Sequence, residues 1–467
     1  MARNNAKHDG ETQTMTQTAT ICLLNDSFPP LIDGVANAVK NYAQVISDSG
    51  HDPVVITPAH PDSSDEDYPY SIIRYPSLDL RRMTGGYMAG IPFSPEIARQ
   101  LAGKKVALLH SHCPIVSTIL ARELRQVVDA PLVMTYHTKF DIDIANILKS
   151  KPLRAGSTKA LVQNISACDE VWTVSRGAAE NLHSLGYEGE CVVMPNGVDL
   201  PQQRVPEETV AQVTGDFDLP SGVPVFLFVG RIMWYKGLKI TIDALTMLLA
   251  KEHDFRMVFI GSGADYDEVV AYAQHCGIAQ KCIFTGAIRD REKLRAWYCR
   301  ADLFLFPSTF DTNGLVVREA AASSLGSMLI AGSCAAEGIT HGRNGLLIEE
   351  NARSMLSCLE QLLAHPGKMA EIGETASREL YLSWQDAVKQ AMERYQIVID
   401  RYQSGGYPAR HEPMDNFLKA NGNLMEELAN LQLQQEELRR NLRARYAGKL
   451  PEIKDKIQSH IHEHFEK

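Results

Sequence analysis

The stretch VFLFVGRIMWYKGLKITIDALTMLLAKEHDFRMVFIG, residues 225–261, decides the architecture. It opens with VFLFVG (225–230), an apolar run with no polar interruption. Such a run reads as a strand covered on both faces. A turn carrying Arg231, Lys236 and Gly237 follows, then a helical pattern over about 237–250. MVFIG (257–261) closes the unit as a second strand. A strand, a crossover helix and a second strand imply parallel pairing in an α/β sheet.

The same alternation extends in both directions. CIFTG (282–286) and LFLFP (303–307) read as further strands, with helices at about 265–275, 290–300 and 315–323. Toward the N-terminus, ICLL (21–24), PVVIT (53–57), SIIRY (71–75), VALLH (106–110), PLVMTY (131–136), EVWTV (170–174) and CVVM (191–194) read as strands. Val35–Ile46, Ile115–Val127 and Ala178–Leu185 carry helical patterns between them. The stretch 201–224 is polar, rich in Pro and Gly, and reads mainly as a linker. From about 352 the strands cease, and SGGYP (404–408) breaks the chain. The expected fold class is therefore α/β: two facing Rossmann-like, doubly wound domains with a C-terminal helical tail. The expected parts are a disordered segment 1–19, domains 20–205 and 206–385, a helix 386–404 returning to the first domain, and a coiled-coil-like tail 405–467. In that tail Leu424, Leu428, Leu431, Leu438 and Leu442 form a heptad seam, with Gln435 in the missing slot. The seam offers either a homo-oligomer contact over 424–442 or a face that folds back on the body.

Composition narrows the function. The chain of 467 residues is 45% hydrophobic and 22% charged, in the ordinary globular range. Its formal charge of -10 argues against a nucleic-acid partner, because phosphate contacts need clustered Lys and Arg. Nine cysteines, an odd number without a C-x-x-C pair, point to a reducing cytosol rather than a disulfide framework or zinc ribbon. The polar residues 1–19 lack a secretory h-region, and no run of about 20 apolar residues exists to span a bilayer.

Four constellations can carry chemistry. Gly34 stands where the first helix begins, a position suited to close approach of an anion, or to an ordinary turn capped by Asp33. His137 follows a strand in TYHTKFDID (135–143), at the edge where such sheets bind ligands; His110 and His112 sit similarly after the preceding strand. Arg231 and Lys236 flank a turn into a helix, which suits a pyrophosphate. In PSTFDTNGLVVREAAA (307–322), a helix starting near Gly314 aims its amides at the cleft, with Asp311 before it and Glu319 one to two turns inside. Asp141 and Asp143 also fit a metal-binding D-x-D, but DFD (216–218) and DYD (265–267) fit equally, so no metal site is assigned. GSGADY (261–266) lacks the third glycine of a dinucleotide fingerprint, which disfavours an NAD-linked oxidoreductase.

GRIMWYKG, the Asp311…Glu319 pair, PNGVD (195–199) and YHTKFD occur in the order found in glycosyltransferase family 4. The chain resembles a retaining member of that family, with the GT-B fold, over about residues 20–400. The resemblance implies an acceptor-binding first domain and a nucleotide-sugar-binding second one. It implies no cofactor and no metal, with a nucleotide-sugar, a UDP-sugar in particular, as donor. Arg231 and Lys236 would bind the donor diphosphate, Glu319 the ribose hydroxyls and Asp311 the sugar hydroxyls. Gly314, Leu315 and Val316 would offer backbone N–H groups. His137 would sit near the transferred sugar, Gly34 would let a loop close over the sugar-phosphate, and Arg289 would lie near the base. The family usually has Glu where Asp311 stands, one methylene longer, which leaves the donor sugar open.

Bacterial diacylglycerol glycosyltransferases are similar at the Asp-type motif and over 139–159, where five basic residues meet two acidic ones among Ile142, Ile144, Ile147, Leu148 and Leu153. That stretch suits either an anionic bilayer, placing the enzyme on the inner face of the cell membrane, or an acceptor-loop helix with solvated lysines. Three other classes stand beside a lipid glycosyltransferase: a transferase with a soluble acceptor, a nucleotide-sugar epimerase of the same fold, and a non-catalytic scaffold.

Overall fold

The structure is a computed structural model that describes residues 18–446 except 32, 85, 141–143, 145–149, 366 and 409–413. The expectations placed on 1–17 and 447–467, on the Asp141/Asp143 pair, and on Ile142, Ile147, Leu148 and Lys149 lie outside the described residues.

All seven apolar runs of the first half are strands of one sheet. They are β1 (Thr20–Leu24), β2 (Asp52–Pro58), β3 (Ser71–Tyr75), β6 (Val106–Ser111), β7 (Leu132–Tyr136), β8 (Glu170–Thr173) and β9 (Cys191–Val193). Between β3 and β6, β4 (Ser77–Leu78) and β5 (Ala89–Gly90) form a small antiparallel pair that periodicity did not reveal. The sheet order is β3-β2-β1-β6-β7-β8-β9, with every neighbour parallel. The second sheet consists of β10 (Val225–Val229), β11 (Arg256–Ile260), β12 (Cys282–Gly286), β13 (Leu303–Phe306), β14 (Ser327–Ile330) and β15 (Leu346–Ile348). Its order is β12-β11-β10-β13-β14-β15, again parallel throughout.

Strands buried on both faces explain the near-continuous Val/Ile/Leu/Phe runs. Ile21 and Leu23 pack into one layer of the first domain, Cys22 and Leu24 into the other. Each fully buried side chain of this size contributes roughly 1.5–3 kcal/mol. Both sheets reverse direction once, between β1 and β6 and between β10 and β13. Ligands of doubly wound sheets bind beyond the carboxyl ends of the strands at such a switch point. The loops after β1, β6, β10 and β13 are therefore the ones to inspect.

The chain crosses between the domains at a bridge joining Val198 to Ser383. The helix Trp384–Gln403 then lies against the helix Gly34–Asp48 of the first domain. Its Val388, Ala391, Tyr395 and Val398 share a core with Leu23, Val39 and Trp172. Arg394 fixes it through a paired contact to Glu170, at 2.8 and 2.7 Å.

Three expectations need correction. The stretch 201–224 is not simply a linker: Glu207–Thr214 is a helix packed on the helix Arg291–Arg300. The strands β14 and β15 went unassigned, because SMLI and LLI are too short to stand out beside the apolar helix before them. The leucine seam of the tail does not make the contact. The helix Asp415–Tyr446 docks on the helices Pro95–Leu101 and Val116–Val128 of the first domain. Leu418, Met425 and Ala429 are buried there, whereas Leu424, Leu431 and Leu438 are exposed. Arg122 joins Asp415 at 2.5 Å, Asn421 donates to Glu123 at 3.1 Å, and the Ser94 N–H meets the Met425 sulfur at 3.2 Å.

Candidate active site

The C-domain half of the site grows from β10 and β13. After β10, the turn Trp234–Lys236 leads through Gly237 into the helix Leu238–Ala250. Gly237 has φ +77°, and a Cβ there would stand 2.0 Å from the Pro307 carbonyl oxygen, so only glycine lets the two strand-end loops meet. Asp265, from the failed dinucleotide fingerprint, accepts from the Trp234 N–H at 2.9 Å and braces the turn. Lys236 is buried, and its Nζ lies 2.6 and 2.7 Å from the two Asp311 oxygens. Ser308 also donates to Asp311, at 2.7 Å. The two residues expected to serve diphosphate and sugar are thus joined to each other. Arg231 is exposed and has no partner among the described residues.

Gly314 begins the helix Leu315–Ala322 in the left-handed region, with φ +57°. A Cβ there would sit 2.9 Å from both Cα and Cβ of Ala335. The N–H groups of Gly314, Leu315 and Val316 have no partner among the described residues, as befits a helix start. One turn in, the half-buried Glu319 accepts from the Tyr298 hydroxyl at 3.0 Å and from Arg291 at 3.2 Å. Burial raises its pKa, opposed by Arg291 and Tyr298. Arg291 also reaches Asp199 at 3.5 Å, and Asn37 donates to Asp199 at 2.8 Å. Arg289, expected near the base, is exposed; Arg291, two residues on, is the one that faces Glu319. Sequence reading missed Tyr298 and Arg291 because they sit on a helix whose pattern announces packing alone.

The N-domain half comes from β1, β6 and β7. Gly34 is the first residue of its helix, and a Cβ there would meet nothing within 4 Å. Asp33 caps that helix, accepting from the Val35 and Ala36 N–H groups at 2.8 and 2.7 Å. The protein's own carboxylate therefore occupies the amides that an anion would use, and what Gly34 leaves is open space beside them. His137 is buried, and burial pushes its imidazole down to about 4, with Asp33 opposing.

The domains touch across the cleft. Thr312, between Asp311 and Gly314, donates to the His137 carbonyl at 2.8 Å and accepts from Ser175 at 2.5 Å. Glu337 of the second domain accepts from the Arg176 and Gly177 N–H groups at 2.8 and 2.6 Å. A cavity of about 440 Å³ lies between the domains, lined by Ser175, Arg176, Asn313, Arg318 and Glu337 among others. Among the described residues no group of three or more His, Cys, Asp or Glu converges as a metal site, and no helix is long and apolar enough to cross a membrane.

Two parallel-sheet domains facing across a cleft, with strand-end cations and a free helix start on one wall, define a glycosyltransferase of the GT-B fold. The chain belongs to glycosyltransferase family 4: residues 32–202 match the model of Glycosyltransferase Family 4 and residues 214–379 that of Glycosyl transferases group 1. It is 26% identical over 310 residues to an alpha-monoglucosyldiacylglycerol synthase of Streptococcus pneumoniae, covering 65% of this chain and 69% of that one. It is 26% identical over 340 residues to a GDP-mannose-dependent alpha-mannosyltransferase of Corynebacterium glutamicum, covering 70% and 76%. Among solved structures, HepE of Anabaena in complex with UDP shares the fold with a TM-score of 0.64 at 16% identity, over 81% of this chain and 100% of that one.

Proposed function

We propose that this glycosyltransferase moves a hexose from a nucleotide-sugar, a UDP-sugar in particular, to a membrane lipid of the diacylglycerol type. In this reading the anomeric configuration is retained and no metal ion takes part. The observation that carries it is the wall formed by Arg231, Lys236 and the N–H groups of 314–316. It supplies the positive charge and amide dipoles that a departing diphosphate needs, without a cation. Each charge-assisted hydrogen bond there is worth about 1.5–3 kcal/mol. Lys236 is spent on Asp311 in the free chain, so donor binding exchanges part of that ion pair for phosphate and leaves Asp311 to accept from sugar hydroxyls. Glu319 accepts from the ribose, His137 contacts the sugar, and an acceptor attacking from the leaving-group face needs no protein nucleophile.

Two observations support a lipid acceptor. The first domain exposes Leu78, Leu80, Tyr87 and Ile91 around the β4–β5 pair, beside Arg81 and Arg82. It also exposes Leu153 near Lys151 on the helix Lys151–Ser166. Apolar side chains interleaved with basic ones suit an anionic bilayer surface. The named similarity to a diacylglycerol-glucosylating synthase points the same way.

The test is a panel of nucleotide-sugars, with and without diacylglycerol vesicles, with EDTA present, following nucleotide release and the product anomer. Lipid-dependent release giving an α-linked product is the expected result. Acceptor-free interconversion of the sugar would make the chain an epimerase, and release driven only by soluble acceptors would remove the lipid.

A further inference from the structure

Three histidines stand at the carboxyl edge of the first sheet, and the proposed reaction uses only one. β6 delivers His110 and His112, and His137 follows β7. His110 is satisfied at both ring nitrogens: Nδ1 lies 2.6 Å from the Tyr395 hydroxyl and Nε2 2.7 Å from the Thr135 hydroxyl. His112 is not. Its main-chain N–H donates to the Leu24 carbonyl at 2.8 Å, tying it to β1. Its Nδ1 lies 3.0 Å from Nε2 of His137, and the two rings are stacked with centroids 5.2 Å apart. Its Nε2 is buried with no hydrogen-bond partner among the described residues. Nδ1 of His137 also has no partner among the described residues.

Both rings are neutral near pH 7, since burial pushes each imidazole well down. Two neutral imidazoles sharing one hydrogen bond have two arrangements. In the first, the Nδ1–H of His112 donates to a bare Nε2 of His137. The unpartnered Nε2 of His112 is then only a lone pair, and the proton of His137 sits on Nδ1. In the second, the Nε2–H of His137 donates to His112. The proton of His112 then sits on its buried Nε2, where no described residue offers an acceptor, and Nδ1 of His137 is bare. Each arrangement leaves one unpartnered N–H, but only the one on His112 Nε2 is also buried, since Nδ1 of His137 is not among the buried orphaned atoms of the described residues; a buried orphaned N–H is the costlier, so the first arrangement wins. We infer that His112 is a positioning residue that fixes His137 in the Nδ1–H tautomer, making His137 a hydrogen-bond donor toward the substrate rather than a base.

The inference rests on the proposed placing of His137 beside the donor sugar, but its first test does not need the reaction. The full chain is labelled with ¹⁵N-histidine, and His137 is assigned from the signals missing in His137→Gln. A pyrrole-type Nδ1 and a pyridine-type Nε2 are expected near neutral pH. A protonated Nε2 on His137 overturns the inference, whatever donor the enzyme takes. The second test is kinetic, on variants whose thermal unfolding shows them folded. His112→Leu should lower kcat about tenfold while KM for the nucleotide-sugar stays within about twofold. His112→Asn, whose Nδ2–H stands roughly where the Nδ1–H was, should recover most of it. Wild-type kcat in folded His112→Leu, or no recovery in folded His112→Asn, overturns the positioning role. Failure of every nucleotide-sugar to react would sink the proposed function and leave the tautomer measurement standing.

Discussion

Replacing Gly34 with alanine separates stability from activity, because the structure gives the two opposite signs. Gly34 opens the helix Gly34–Asp48 behind the Asp33 cap. Its φ lies outside the left-handed region, and an added Cβ would meet nothing within 4 Å, so alanine fits the folded chain. Alanine also has less freedom to lose from the unfolded chain, a gain of about 0.4–1 kcal/mol. At about 2–4 °C per kcal/mol for a domain of this size, Tm should rise by about 1–4 °C. We place the donor sugar-phosphate in the space above Gly34, as the resemblance to family 4 implies. A methyl group there pushes the donor away from the 314–316 amides, and a misplacement of about 1 Å can cost ~100-fold. We expect kcat/KM to fall at least about tenfold, a loss of ~1.4 kcal/mol in transition-state stabilisation. Gly314→Ala is the contrast. Its φ of +57° and the 2.9 Å approach to Ala335 mean that both activity and stability fall. The left-handed backbone alone costs about 1–2 kcal/mol. Calorimetry and initial rates on the two variants give the answer. Unchanged kcat/KM in Gly34→Ala would refute the close approach of a donor, and a lowered Tm would refute the unstrained helix start.

Other outcomes follow from the same geometry. Lys236→Ala and Glu319→Ala should each lower kcat/KM at least about tenfold (~1.4 kcal/mol), and near-wild-type rates in both would remove the donor-site assignment. His137 has a folded pKa of about 4 against 6.5 unfolded, so the unfolded chain binds more protons in between. Its contribution is therefore present above pH 6.5 and lost as the pH falls through 4, about 3 kcal/mol in all. His137→Gln should flatten the acid limb of stability against pH, and an unchanged slope would contradict the buried neutral ring. Glu123, under the tail helix, has the opposite sign, because burial raises it to about 7 from 4.5. Its contribution is complete below pH 4.5 and lost as the pH rises through 7. Amide exchange across 418–429 should thus be slower in Glu123→Gln than in the wild type at pH 8 and alike at pH 5. Equal exchange at pH 8 would separate that carboxyl from tail docking.

What the sequence made legible was whatever a single periodicity or a single local cluster encodes. The runs at β1 and β10 announce buried parallel strands because both faces are covered, and the strand-end loops then follow from the switch-point rule. Lys236, Asp311, Gly314 and Glu319 were legible as types suited to phosphate and hydroxyls, yet the Lys236–Asp311 ion pair was not, since 75 residues separate the two. Arg291 and Tyr298 were hidden because a helix pattern gives burial, not the neighbour a side chain meets across a layer. The tail shows the limit most plainly, because the helix Asp415–Tyr446 carries two stripes at helical spacing. One is Leu424, Leu428, Leu431 and Leu438, which hydrophobicity selects. The other is Leu418, Gly422, Met425 and Ala429, which docks. The docking stripe allows close approach at its small residues: a Cβ on Gly422 would stand 2.7 Å from the Glu123 carbonyl oxygen. Close backbone approach, not leucine count, decides which face meets the helix Val116–Val128, and approach distance is a property of the partner surface that periodicity cannot carry.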